Sequence, residues 1–190
     1  RSAIGEKTIL RIDANQGWSK EEALPVLTAL SVYDIQFCEQ PMHKYYDDYL
    51  PALCAASPIK IMADESVFTH HEARKLIQQK ACHYINIKFS KSGGIHEAIK
   101  IHDIGKANGI ACMMGGMLES RLALSAKVHF AMAHDNIHFY DMDTCLLGHK
   151  EDPVIGGVQF NGMHISISDS PGIGATVDPN YLSKLESCVV

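Results

Sequence analysis

The sequence predicts an α/β fold, a (β/α)8 TIM-type barrel of which about six βα units are present, on three observations. Apolar, β-branched runs recur evenly, with strand starts near residues 9, 35, 59, 84, 110 and 137, and each interval holds a strand, a helix and two short loops. Four of the first runs end on a charged residue, at Asp13, Glu39, Asp64 and Lys88, in steps of 26, 25 and 24 residues. No GxGxxG turn follows the first run, so the even period favours a closed barrel over a doubly wound sheet. A barrel of this kind has eight strands. The six counted here are therefore read as strands 3 to 8, with the first two expected before Arg1.

The elements follow in order. Ile9-Leu10-Arg11-Ile12 is the first strand, and Ser19-Lys20-Glu21-Glu22 then opens a helix with a capping box, in which hydroxyl and glutamate satisfy orphan backbone N–H groups. Ile35-Gln36-Phe37-Cys38 and Ile59-Lys60-Ile61-Met62-Ala63 are the next strands; Tyr45, Tyr46 and Tyr49 between them suggest an amphipathic helix face. Thr69-His70-His71-Glu72 is a second capping box, with the two histidines expected on opposite sides of the helix start. Tyr84-Ile85-Asn86-Ile87 is the fourth strand. Gly93-Gly94 opens a helix that stops at Asn108-Gly109, a favoured left-handed terminus. Ile110 to Met114 and Ile137 to Tyr140 are the last two strands, separated by a helix after Ser120. After Gly148 the pattern changes to a hairpin around Asn161-Gly162, expected as a type I′ turn, and then a loop at 170–174. The expected organisation is a catalytic barrel domain at 1–149 and a segment at 150–190 that leaves the barrel.

Composition narrows the function. The 190 residues are 46% hydrophobic with a net charge of −5, as for one globular domain or a large part of one. Lys and Arg total 17 against 22 acids without a basic tract, which argues against nucleic-acid binding. No apolar run approaches the roughly 20 residues of a membrane span. Arg1-Ser2-Ala3-Ile4-Gly5 lacks a signal-peptide core and an initiator Met, and reads as an internal cut in a longer chain. Six cysteines are scattered without a CxxC pair, which suggests reduced thiols in a cytoplasmic protein. Eleven histidines show no HExxH motif, so histidine ligation of zinc is not expected.

The charged residues at the strand ends carry the chemistry. If the strands are parallel and adjacent, Asp13, Glu39, Asp64 and Lys88 emerge at one C-terminal rim. Three converging carboxylates repel one another unless a hard divalent cation holds them, and a lysine beside such a cation is a ready base. Oxygen donors alone point to Mg2+, with Mn2+ as a substitute. Partial desolvation beside a cation should move the Lys88 pKa toward neutrality. Lys91, past the strand, is the less suitable base. Trp18 either walls the pocket or packs as a loop aromatic. Met113, Met114, Met117 and Leu118 are read mainly as barrel core, with Met117 and Leu118 able to touch substrate.

Asp13-Ala14-Asn15, Glu39-Gln40-Pro41, Ala63-Asp64-Glu65-Ser66, Asn86-Ile87-Lys88, Lys91-Ser92-Gly93-Gly94, Gly116-Met117-Leu118-Glu119-Ser120 and Asp141-Met142-Asp143 stand in this order along the chain. Together they resemble the enolase superfamily, in particular its muconate-lactonizing-enzyme subgroup and, within it, the dipeptide epimerases (L-Ala-D/L-Glu type). The resemblance implies that Asp13, Glu39 and Asp64 ligate Mg2+. Lys88 would exchange the α-proton of a dipeptide's C-terminal residue through an enediolate, Asn15, Glu65 and Asn86 would orient ligands and base, and Asp141 and Asp143 would bind the dipeptide's α-ammonium. It implies a small-molecule dipeptide of the Ala-Glu type as substrate, a cytoplasmic homo-oligomer, and a C-terminal segment returning to a capping domain. N-acylamino acid racemase, o-succinylbenzoate synthase and muconate cycloisomerase chemistry are the alternatives on the same framework, as is a catalytically inactive fragment. The family also uses a second lysine, in a KxK motif on a strand that this sequence does not contain, so the 190 residues alone are expected to be inactive.

Overall fold

The structure, a computed structural model, describes residues 1–147 and 149–188; Gly148, where the change of pattern is expected, lies outside them. The chain forms two compact units, one of residues 1–113 and 136–139, the other of 114–135 and 140–190.

The first unit is organised by a six-stranded sheet: β1 Leu10–Asp13, β2 Ile35–Glu39, β3 Ile61–Ala63, β4 Tyr84–Ile87, β5 Ala111–Met114 and β6 Ile137–Tyr140. Spatial order equals chain order, and the pairs β1–β2, β2–β3 and β3–β4 are parallel. A doubly wound sheet would reverse order at a switch point; this one does not, as a barrel wall requires. The sheet ends at β1 and β6. Helices α1 Lys20–Leu30, α2 Leu50–Ala56, α3 His70–Gln78, α4 Phe89–Ser92 and α5 Ile95–Ala107 lie in the crossovers. Both predicted capping boxes form, Ser19 with Glu22 and Thr69 with Glu72, and Gly109 takes the left-handed conformation after α5.

Two apolar layers follow from the period-2 alternation of strand side chains. Phe37, Met62, Met113 and Phe139 form one buried cluster with Tyr84 and Ala111 against it. The Phe37 and Phe139 rings, from β2 and β6, meet edge-on at 5.1 Å, and the Arg11 guanidinium lies over both, at 5.4 and 5.0 Å. Contacts between strands four positions apart mean that the sheet is curled, with this cluster on its concave side. Leu27, Leu76 and Ile101 of the helices are buried in the other layer, each contributing about 1.5–3 kcal/mol. Where α5 meets β5 the approach is close enough that a Cβ on Gly105 would stand 2.9 Å from the Ile110 carbonyl oxygen.

Helices α3 and α5 are tied by Glu97, whose Oε1 accepts from the His70 backbone N–H at 2.8 Å and lies 2.5 Å from His70 Nδ1. The backbone bond first, and then the ring, push the Glu97 pKa down to about 2 from an ordinary 4.5. A depressed carboxylate contributes stability that is present above its unfolded value and lost as pH falls through its folded one. Glu97→Gln should therefore flatten the fall of Tm between about pH 4.5 and 2. An unchanged Tm–pH curve would refute the tie. The histidines are not on opposite sides as expected: the His70 and His71 rings pack at 3.9 Å.

The second unit contains α6 Arg121–Ala133, β7 Val154–Gly156, β8 Gln159–Asn161, β9 His164–Ser166, β10 Ala175–Val177 and α7 Pro179–Leu182. The β7–β10 antiparallel pair is not foreseen in the sequence, because three-residue strands carry too little alternation. Arg121 secures it by donating to Asp152 Oδ2 at 2.5 Å and to the Val154 and Gly156 carbonyls. The β8–β9 hairpin forms as expected, but Asn161 pairs with His164. The loop is therefore Gly162-Met163, with positive φ at Gly162 alone of the two. That is the II′ pattern rather than I′: the turn slid one residue because only glycine takes the left-handed position without strain.

Two further expectations are corrected. Tyr45, Tyr46 and Tyr49 lie on a 3-10 turn, Lys44–Tyr49, and all three are exposed, so they are not the buried face of an α-helix. Met117 and Leu118 are 49% and 68% exposed and so stand outside the core, since the segment they occupy continues past the strand. All six cysteines are free, and burial pushes the thiols of Cys54, Cys82 and Cys112 up to about 12. Among the described residues no helix is long and apolar enough to cross a membrane.

Candidate active site

The inward-facing row continues upward two residues at a time. Arg11, Phe37, Met62 and Tyr84 fill the concave side, so Asp13, Glu39, Asp64 and Asn86 project from the same side one step closer to the C-terminal ends. The register agrees, with Asp13 beside Glu39 and Glu39 beside Met62. Lys88 lies two residues beyond Asn86, at the entry to α4. The four charged groups at the strand ends and their expected helpers thus belong to one rim.

Each carboxylate has its own donors. Lys88 Nζ lies 2.6 Å from Asp64 Oδ2, and Lys91 Nζ donates to Asp64 Oδ1 at 2.5 Å, to the Asp64 carbonyl at 2.6 Å and to the Asn86 carbonyl at 2.9 Å. Asn86 Nδ2 donates to Glu39 Oε1 at 2.6 Å. Asn15 donates to Asp13 through both its backbone N–H and its side chain, at 2.8 Å each. Glu65 Oε2 and Asn86 Oδ1 are buried without a hydrogen-bond partner.

These surroundings set the proton affinities. Burial, opposed by the Asn86 bond but reinforced by the charges of Asp13 and Asp64, pushes the Glu39 pKa up to about 8. Burial likewise raises Glu65, helped by Asp64, and raises the Cys38 thiol to about 12 with contributions from Asp13 and Glu39. Asp64 is the exception: burial would raise it, but the lysines Lys91 and Lys88 outweigh burial and hold it below the ordinary aspartate value. Lys91 is lowered by burial despite Asp64. Lys88 does not move toward neutrality as expected. Burial disfavours its ammonium, yet the hydrogen bond and charge of Asp64 more than compensate, and its pKa lies above the lysine norm.

A hard divalent cation fits this site by donor chemistry: three carboxylates on successive strand ends, no sulfur or imidazole among them, and two unpartnered buried oxygens alongside. The carboxylates are on one face but do not meet around one point. Among the described residues no three His, Cys, Asp or Glu side chains are gathered closely enough to hold a metal ion; each of the three carboxylates accepts from N–H donors of its own.

Lys91, expected in a loop, is on the short helix α4 with only 7% of its side chain exposed. Gln40 is a residue that the strand-end pattern does not single out. It is 1% exposed and its backbone is left-handed, φ +31°. Its side chain bridges the ends of β2 and β3, accepting from Asp64 N–H at 2.9 Å and donating to Ser66 Oγ at 2.8 Å. The signal was its place in Glu39-Gln40-Pro41, but nothing in a linear pattern shows which way an amide turns.

In the second unit, Asp141 Oδ2 accepts from the Gly116 N–H at 3.1 Å. A Cβ on Gly116 would stand 3.0 Å from the Asp141 carbonyl oxygen, which explains the glycine. Asp143 is exposed. Lys127, fully buried, donates to the Gly115 carbonyl at 2.6 Å and pairs with Glu119, holding both ends of the segment that carries Met117 and Leu118.

Comparison with known proteins places the chain in a family. The D-Ala-D/L-Ala epimerase of Cytophaga hutchinsonii is 41% identical over 191 residues, covering 100% of this chain and 52% of that protein. The L-Ala-D/L-Glu epimerase of Bacillus subtilis is 40% identical over 178 residues, 92% of this chain and 48% of that one. The chain thus spans about half the length of the curated relatives it matches. The crystal structure of the Cytophaga hutchinsonii dipeptide epimerase complexed with Mg and D-Ala-L-Val superposes with a TM-score of 0.94 at 42% identity, covering 98% of this chain and 50% of that one. The family model for the enolase C-terminal domain-like family matches residues 1–181. With parallel strands in chain order and charged residues on one rim, the chain belongs to the enolase C-terminal domain-like family.

Proposed function

We propose that the full-length protein bearing this chain is a Mg2+-dependent dipeptide epimerase that inverts the α-carbon of the C-terminal residue. The observation that carries the reading is the Lys88–Asp64 contact of 2.6 Å at adjacent strand ends, a proton-transfer group against one of three carboxylates on the same rim. Asp13, Glu39 and Asp64 would hold the Mg2+, or Mn2+ in its place; when bound, the ion offsets negative charge developing on the substrate carboxylate. Engaging Asp64 in this way takes from Lys88 the partner that favours its ammonium. Burial, opposed then chiefly by the charge of Glu65, would pull Lys88 toward the range of a working base. Asn86 steadies Glu39, Asn15 steadies Asp13, and Glu65 adds negative charge beside Lys88. Asp141 and Asp143 would receive the dipeptide's α-ammonium, and the exposed Met117 and Leu118 are available to touch its side chains. A second lysine, from polypeptide outside these 190 residues, would serve the opposite face of the α-carbon.

The test is deuterium wash-in by NMR with L-Ala-L-Glu, L-Ala-L-Ala and their N-acetyl derivatives. The Ala-Glu dipeptide is the default substrate. The expected result is exchange and inversion at the C-terminal α-carbon, with acetylation lowering kcat/KM at least about tenfold, as losing a charge-assisted hydrogen bond of about 1.5–3 kcal/mol requires. Equal or better turnover of the N-acyl compounds would reassign the protein to racemisation of N-acylamino acids.

A further inference from the structure

A polar chain runs from the surface of the first unit to the backbone of Asp64, separate from the groups that would touch substrate. Asp47, on the 3-10 turn after β2, accepts from Ser66 Oγ at 2.5 Å. Ser66 Oγ accepts in turn from Gln40 Nε2 at 2.8 Å, and Gln40 Oε1 accepts from the backbone N–H groups of Asp64 at 2.9 Å and Ser66 at 3.3 Å. The second Gln40 donor goes to the Met42 carbonyl at 3.0 Å. Gln40 and Ser66 are both buried, at 1% and 4% exposure.

The chain has only one polarity. An ionised carboxylate can only accept, so Ser66 must donate its proton to Asp47 and keep its lone pair for the Gln40 amide. Two backbone N–H groups meet the other end of that amide, so Gln40 cannot turn over without placing donor against donor. Both donors and both acceptor sites of the side chain are used, on a residue whose left-handed backbone is itself uncommon. Removing the Asp47 acceptor leaves the Ser66 hydroxyl free to turn, and the amide that clamps Asp64 loses the fixed acceptor for one of its two donors.

We propose that Asp47 is a positioning residue for the candidate centre, acting through Ser66 and Gln40 to hold the backbone from which the Asp64 carboxylate emerges. Its consequence for metal and substrate rests on the functional reading above; the clamp itself does not.

The experiment compares Asp47→Ala, Asp47→Asn, Ser66→Ala and Asp47→Ala/Ser66→Ala in the full-length protein, by amide hydrogen exchange, Mn2+ titration and steady-state kinetics. Asp47→Ala should speed exchange at the Asp64 N–H about tenfold and weaken Mn2+ binding about tenfold, the range found when a group behind a ligand is lost. Asp47→Asn, which keeps an acceptor oxygen, should restore most of both, and Asp47→Ala should add nothing in the Ser66→Ala background. Additive effects, or unchanged exchange at Asp64 in Asp47→Ala, would overturn the relay. Faster exchange with unchanged Mn2+ affinity, in a parent that binds Mn2+, would overturn the positioning role. A parent that neither binds Mn2+ nor turns over dipeptides, while exchange still responds to Asp47→Ala, supports the clamp and removes the functional reading.

Discussion

Lys88→Ala in the full-length protein is expected to lower the rate of epimerisation by about 10²–10⁴-fold, the contribution of a positioned acid–base group. The loss should be stereochemically uneven. On the proposed function Lys88 would meet one side of the α-carbon, so exchange of the α-proton from one epimer should nearly vanish while exchange from the other persists through a base on the opposite side. Deuterium wash-in followed separately from each epimer reads both effects. A symmetrical loss for the two epimers would show that Lys88 is not a one-face base. The prediction is specific to this lysine because its ammonium has one carboxylate partner at 2.6 Å and stands beside Glu39 and Glu65, whose charges also favour the protonated form.

Lys91→Ala is expected to do something different: lower stability by about 3 kcal/mol or more, as removing one member of a buried ion pair does. Lys91 Nζ satisfies Asp64 Oδ1 and two main-chain carbonyls at once, in a side chain 7% exposed, and its loss leaves those acceptors buried without it. Urea denaturation of the full-length protein measures the change, with Lys88→Ala, which breaks a single bond to Asp64, as the milder comparison. Activity per folded molecule should fall without stereochemical asymmetry. A stability change below about 1 kcal/mol would mean that the three bonds are not holding the strand ends together.

The strand ends and the turns between them differ in how much of themselves they show in a linear sequence. Six strands were legible because each is a largely apolar run at a regular interval, and β2, β4 and β6 begin at the expected residues while β1, β3 and β5 begin one or two later. The capping boxes were legible because they depend on residues three apart in the chain. The β7–β10 pair was not, because its partners are separated by a hairpin and neither strand has more than three residues.

The candidate site divides in the same way. Asp13, Glu39, Asp64 and Lys88 could be named from sequence because strand period and βα length together dictate which residues reach one rim, and both are local properties. What the tertiary structure alone decided is how those groups pair. Lys91 turns back onto Asp64 from a short helix, Lys88 is held as an ammonium rather than released, and Gln40 locks to Asp64 and Ser66. Such choices depend on burial, on which donor is nearest and on how many partners one atom can serve. These quantities exist only after the chain has folded, since in the extended sequence Asp64 stands 27 residues from Lys91 and 24 from both Gln40 and Lys88.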